Sequence, residues 1–123
     1  MVFEKSMIVS EDYLARCIES GDVEVFATPS MVALMEAAAA EGMAPFLEPG
    51  QTSVGSYIAS SHSAPTPSGM RVTAKATITA IQGRRVEFNV IAYDEKEEIG
   101  RGSHVRHIVD RQAFQDKASA KIL

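Results

Sequence analysis

Between Arg71 and Ala80 the chain alternates strictly: Val72, Ala74, Ala76, Ile78 and Ala80 are apolar, and Arg71, Thr73, Lys75, Thr77 and Thr79 separate them. A period of two predicts a strand with one face buried. Val86, Phe88, Val90 and Ala92 repeat the pattern after a Gln82-Gly83-Arg84 turn. A second turn at Asp94–Glu97 leads into a last long strand, Ile99–Val109, and Gln51–Ser61 reads as a further strand joined to the first by the turn-rich Ser63–Gly69. Upstream the period changes. From Thr28 to about Phe46 or Leu47, apolar or small residues lie on nearly every side of a helix, which marks it as buried. Thr28-Pro29 predicts its start, with Thr28 as N-cap and proline at the first helical position. Glu48-Pro49-Gly50 ends it, and Pro45 distorts its last turn.

The ends of the chain carry weaker patterns. Residues 3–10 suit a short strand. Ser10, followed by Glu11 and Asp12, predicts a helix running to about Ile18 and stopping at Gly21. Val23, Val25 and Ala27 alternate with Glu24 and Phe26 as a short strand, and the polar tail from Gln112 onward reads as a loose extension. The sum is one α+β domain over residues 1–123, a buried helix followed by an antiparallel meander. A helix apolar on all sides needs cover from a curved sheet and from a partner subunit.

Composition narrows the class. The chain has 123 residues, enough for one real core, and its 46% hydrophobic and 23% charged residues are ordinary for a globular protein. A net charge of −4 gives no overall attraction to nucleic acid or to an anionic membrane. Cys17 is the only cysteine, so no intramolecular disulfide can form and a cytoplasmic setting is expected. No segment approaches the roughly 20 apolar residues of a membrane span.

Within this pattern Glu36 stands out, because from Ser30 to Leu47 only it and Glu41 are charged. Burying an unpaired carboxylate costs several kcal/mol. Glu36 therefore either reaches solvent or a surface arginine, or it sits in a cleft as a general base or nucleophile. His62 ends a strand, and a lone histidine there is more often structural than catalytic. The helix start at Thr28 offers free N–H groups and a positive dipole end, which suit an oxyanion. Thr28 and Glu36 lie about 12 Å apart along an ideal helix, so they cannot bond directly. A doubly bonded imidazole spans about 7–8 Å, and His62 or a partner subunit could join them. Arg106 reads as a solvent-facing residue of an edge strand or as a phosphate contact. His104 and His107, three apart, face opposite sides of a strand, and with HExxH and CxxC absent no metal or cofactor is expected. Cys17 reads as core packing.

The segments VFATPSMVALMEAAAAEGMAPFLEPGQTSVGS, SHSAPTPSGMRVTA, GRRVEFNVIAYDE and IGRGSHVRHIVDR together resemble the fluoroacetyl-CoA thioesterase-like family of hotdog-fold proteins, across about residues 20–115. The resemblance implies an antiparallel sheet wrapped around one long helix, a homodimer with sites near its interface, and hydrolysis of an acyl-CoA thioester. It implies that Thr28, Glu36 and His62 are the catalytic residues, that Gly55 lies beside the acyl pocket, and that Arg106 contacts coenzyme A. Where the family gates its pocket with phenylalanines, this chain has EDYLARCIESGDVEVFATP, with Phe26 the one aromatic near the helix. The acyl group is left open between fluoroacetyl and another short or medium group. A non-catalytic acyl-CoA-binding module is the alternative reading. A hydratase would need an Asp–His pair after the helix, and no Asp occurs between Asp22 and Asp94.

Overall fold

The computed structural model describes residues 1–122 and contains one five-stranded antiparallel sheet and one long helix. Its elements are β1 (Val2–Ile8), α1 (Thr28–Met43), β2 (Gln51–Ser60), β3 (Arg71–Gln82), β4 (Arg85–Tyr93), β5 (Glu98–Asp110) and α2 (Arg111–Ser119). The alternating segments form β3, β4 and β5 as a meander, with a tight turn at Gly83 (φ 62°) between β3 and β4. The meander does not extend to β2, because the strand order is β1-β3-β4-β5-β2. Beyond β2 the chain first keeps its pairing with β5, through Ser61 N–H to Arg101 O and Ser63 N–H to Ile99 O. It then crosses toward β1, where Gly69 N–H reaches Val9 O. This crossover places His62 beside the start of α1.

Burial explains why the sheet curls around α1. The inward faces of β3 and β4 contribute Val72, Ala74, Ala76, Val86, Phe88, Val90 and Ala92, all buried. Against them α1 sets Met31, Leu34, Met35, Ala38, Ala39 and Met43. Small alanines on the sheet leave room for flexible methionines, which fill irregular gaps well. At Gly42 an added Cβ would lie 2.1 Å from the Phe3 ring, so β1 packs directly on the helix backbone. On another stripe of α1, Val32, Glu36 and Ala40 are only half-buried and Ala33 is exposed.

Four local expectations change. The Ser10 segment forms only a 3-10 turn, Glu11–Tyr13, and the Ser10 side chain makes no cap bond. Leu14 and Ala15 are buried, and residues 13–15 bond back to 25–27, with Ala15 N–H on Val25 O and Ala27 N–H on Tyr13 O. Residues 23–27 form an isolated Leu14–Phe26 bridge rather than a strand. Ala27, not Thr28, caps α1; Thr28 is its first residue, so its hydroxyl is free for another partner. The tail folds as α2, capped by Asp110 accepting from Ala113 N–H at 2.8 Å, yet none of its residues is buried. Among the described residues no helix is long and apolar enough to cross a membrane.

Candidate active site

At the start of α1, Thr28 Oγ1 and His62 Nδ1 form a hydrogen bond of 2.7 Å. Two anchors hold this contact. Phe26 N–H donates to Thr66 O, and Thr66, fully buried, donates its hydroxyl to Asp94 Oδ2 at 2.8 Å. Burial would raise the Asp94 carboxyl, but hydrogen bonds from the Lys96 and Glu97 amides and from Thr66 outweigh it and hold the group below its usual range. The segment entering α1 and the segment carrying His62 are thereby tied to one carboxylate. Burial alone lowers the His62 pKa and favours the neutral ring. His62 Nε2 is buried without a hydrogen-bond partner, the one side-chain polar atom so left among the described residues. Such a group costs roughly 1–3 kcal/mol. Pro29 has no N–H, and Met31 N–H bonds Ala27 O, so Thr28 and Ser30 supply the helix-start amides that lack an intrahelical acceptor. The Thr28–His62 pair lines a hollow of about 370 Å³ whose far wall is Ser20–Val23 and Val25, with Asp22 as its carboxylate.

Midway along α1 a second cluster forms. Glu36 Oε2 lies 3.7 Å from Arg106 Nη1, an ion pair rather than a hydrogen bond. Arg106 is 7% exposed and sits on β5, which runs between β4 and β2. The expectation of a solvent-facing residue on an edge strand therefore fails. Arg106 donates through Nε to Ser53 Oγ at 2.9 Å and through Nη2 to Ser53 O at 3.0 Å. Its Nη1 faces His104 Nε2 at 3.2 Å, and His104 Nδ1 bonds Tyr57 O at 2.8 Å. Burial lowers the Arg106 pKa while Glu36 raises it, and the guanidinium remains a cation. For His104, burial lowers the pKa most; the Tyr57 carbonyl opposes this, Arg106 adds to it, and Glu36 opposes it, with a net lowering. Gly55 closes the cluster, since a Cβ there would stand 2.8 Å from Glu36 Oε2 and 3.3 Å from Arg106 Nη1.

The structure thus brings Thr28 to His62, and Glu36 to Gly55 and Arg106. Among the described residues no hydrogen bond or ion pair joins Glu36 to Thr28 or His62. Ser53, Thr66 and Asp94 were not singled out from the sequence. His104 was weighed only as a metal ligand, although its spacing of two from Arg106 puts both on one face of a strand. Cys17 is exposed rather than packed in a core, with Arg16 Nη1 3.4 Å from its Sγ. His107 is half-buried and belongs to neither cluster.

Comparison with known proteins gives a consistent result. The model of the family described as fluoroacetyl-CoA-specific thioesterase matches residues 9–112. A fluoroacetyl-CoA thioesterase of Streptantibioticus cattleyicolor is 45% identical over 98 residues, covering 80% of this chain and 70% of that protein. The structure of a threonine-to-serine variant of the fluoroacetyl-CoA enzyme in complex with acetyl-CoA is similar at a TM-score of 0.93 and 36% identity, covering 98% of this chain and 96% of that one. A hot-dog-like protein from Thermanaerovibrio acidaminovorans, 21% identical, shares the fold at a TM-score of 0.88 over 98% of this chain and 90% of its own.

Proposed function

The chain belongs to the fluoroacetyl-CoA-specific thioesterase family, and from that premise we propose that it hydrolyses the thioester of a short or medium acyl-CoA, using Thr28, Glu36 and His62. The observation that carries the reading is the orphaned His62 Nε2 next to Thr28 at a helix N-terminus. A buried polar atom left without a partner is a cost that a substrate or a second subunit removes on arrival.

The amides of Thr28 and Ser30 polarise the thioester carbonyl, where negative charge develops. Glu36 supplies the carboxylate, as a nucleophile forming a transient anhydride or as a base on water. One water is consumed; the carbon–sulfur bond breaks, the acyl carbon gains the oxygen, and the thiolate leaves with a proton relayed by His62. Thr28 orients the imidazole. Three of the five Arg106 N–H groups go to Ser53 and His104, which leaves two for Glu36 and for an oxygen of coenzyme A. Gly55 lines the acyl pocket beside Glu36.

The active form in this reading is a homodimer in the cytoplasm. Two features support the dimer: the half-buried stripe of α1 around Glu36, and the free edge of β2 with Gly55, Ser56 and Tyr57 exposed. A second copy covers both and can bring one subunit's Glu36 cluster to the other's Thr28–His62 pair.

The test is thiol release from acetyl-, fluoroacetyl-, butyryl- and hexanoyl-CoA, comparing wild type with Glu36→Gln. Turnover of one chain class, reduced at least a hundredfold in the variant, is the expected result. Wild-type rates in Glu36→Gln would remove Glu36 from the chemistry. Tight binding of coenzyme A with no hydrolysis of any thioester would favour the binding-module reading.

A further inference from the structure

We propose that His104 is a positioning residue, which fixes the direction of Arg106 and through it the place of the Glu36 carboxylate. The proposal rests on Glu36 being the reacting carboxylate, and it adds a residue that touches no substrate.

The tautomer of His104 follows from its two partners. Tyr57 O can only accept, so Nδ1, 2.8 Å away, carries the proton. A neutral ring protonated at Nδ1 presents a lone pair at Nε2. Arg106 can only donate, and its Nη1 faces that lone pair at 3.2 Å. Both ring nitrogens are thus used, in a side chain only 1% exposed whose ring stacks on Phe88 at 6.1 Å between centroids. Turning the ring would break both contacts.

Arg106 in turn is held at three points. Ser53 accepts from Nε and Nη2, and His104 accepts from Nη1. A guanidinium is planar, so fixing these atoms fixes the whole fork. The same Nη1 faces Glu36 Oε2 at 3.7 Å. Nothing else among the described residues pairs with that carboxylate, whose side chain is 41% exposed and would otherwise move freely. The charged groups that act on His104 are Arg106 and Glu36, and Arg85 and Glu87 line a hollow beside it. Of its other neighbours, Tyr57 offers a carbonyl and Phe88 an apolar ring. If His104 lost its acceptor nitrogen, Ser53 alone would hold the fork, and its Nη1 end, the end that faces Glu36, would lose its hydrogen-bond partner.

Two substitutions separate positioning from mere packing. In His104→Gln the side-chain oxygen reaches the place of Nε2 and can still accept from Arg106. In His104→Asn the amide stays near Nδ1, keeps a donor for Tyr57 O, and offers Arg106 nothing. We expect kcat/KM to fall tenfold or more in the Asn variant and about threefold or less in the Gln variant. Nitrogen-15 spectra of the arginine side chains provide a reading that needs no turnover. Separate Nη signals of Arg106 should persist in wild type and Gln and merge through faster rotation in Asn. A role limited to pinning Tyr57 would reverse the order of the variants, and Arg106 signals unchanged in Asn would overturn the proposal. If wild type hydrolyses no acyl-CoA, the functional reading fails, while the Arg106 signals still decide whether His104 positions the fork.

Discussion

Adding a single methyl group at Gly55 should separate catalysis from folding. An ideal Cβ at this position stands 2.8 Å from Glu36 Oε2, 3.2 Å from His104 Cε1 and 3.3 Å from Arg106 Nη1. An ordinary carbon–oxygen contact is about 3.4 Å, so the carboxylate must retreat by about 0.6 Å. It can do so cheaply, because it is the far end of a flexible, partly exposed side chain. The ring and the guanidinium need to give only a few tenths of an ångström. Replacing glycine by alanine in a strand also recovers some backbone entropy, so the net change in stability should stay within about 1 kcal/mol. Catalysis is less forgiving. A misplacement of about 1 Å can cost roughly a hundredfold, and the smaller retreat here should cost about tenfold in kcat, equivalent to about 1.4 kcal/mol. The assay is steady-state thiol release by Gly55→Ala, run beside its thermal unfolding. Wild-type kcat in a normally folded variant would refute the argument. So would a lowered melting temperature large enough to explain the lost activity.

Acid should weaken the fold from neutral pH downward. Burial lowers the pKa of both His62 and His104 from the ordinary 6.5. The unfolded chain therefore binds protons first, and stability is complete above about pH 6.5 and declines below it until the folded values are reached. The melting temperature should fall between pH 7 and 5.5, less steeply in His104→Gln; a flat profile in wild type would contradict buried neutral imidazoles. Asp22, at the wall of the hollow before Thr28, should disfavour acyl groups that end in a carboxylate. Two charges about 7 Å apart in water interact by about 0.6 kcal/mol, so Asp22→Lys should raise the succinyl-to-acetyl ratio of kcat/KM about eightfold. The gain should shrink with added salt, and a ratio unmoved at low salt would place the acyl group elsewhere.

The sheet was legible because its signal is local. The two alternating runs became β3 and β4 with register pairs such as Ala74 with Ala92 and Ala76 with Val90. Strand order was not legible, since nothing in Gln51–Ser60 says that it pairs with β5 rather than with β3. The Ser10 segment misled for a related reason. Ser-Glu-Asp is a sound helix start in isolation, but Leu14 and Ala15 are buried against the Val25–Ala27 return, and that pairing wins. Thr28 shows how one residue type serves two geometries. Its hydroxyl suits a cap, yet once the helix begins one residue earlier, at Thr28 with Ala27 as the cap, the same hydroxyl is free to meet His62.

Glu36 was conspicuous from the start, whereas the group that holds it was not. A lone carboxylate in an apolar helix is visible in one line of sequence. Its partner Arg106 lies 70 residues away, on a strand whose place inside the sheet only the folded chain reveals. The guanidinium can be buried because Ser53 and His104 satisfy it, and each of those comes from a different strand. One cation is thus fixed beside Glu36 in its half-buried stripe. Among the described residues Glu36 makes no hydrogen bond or ion pair with the Thr28–His62 pair of its own chain. In the proposed reading a single chain holds two half-sites, and a second copy acts on the half-buried stripe of α1 around Glu36 to join them.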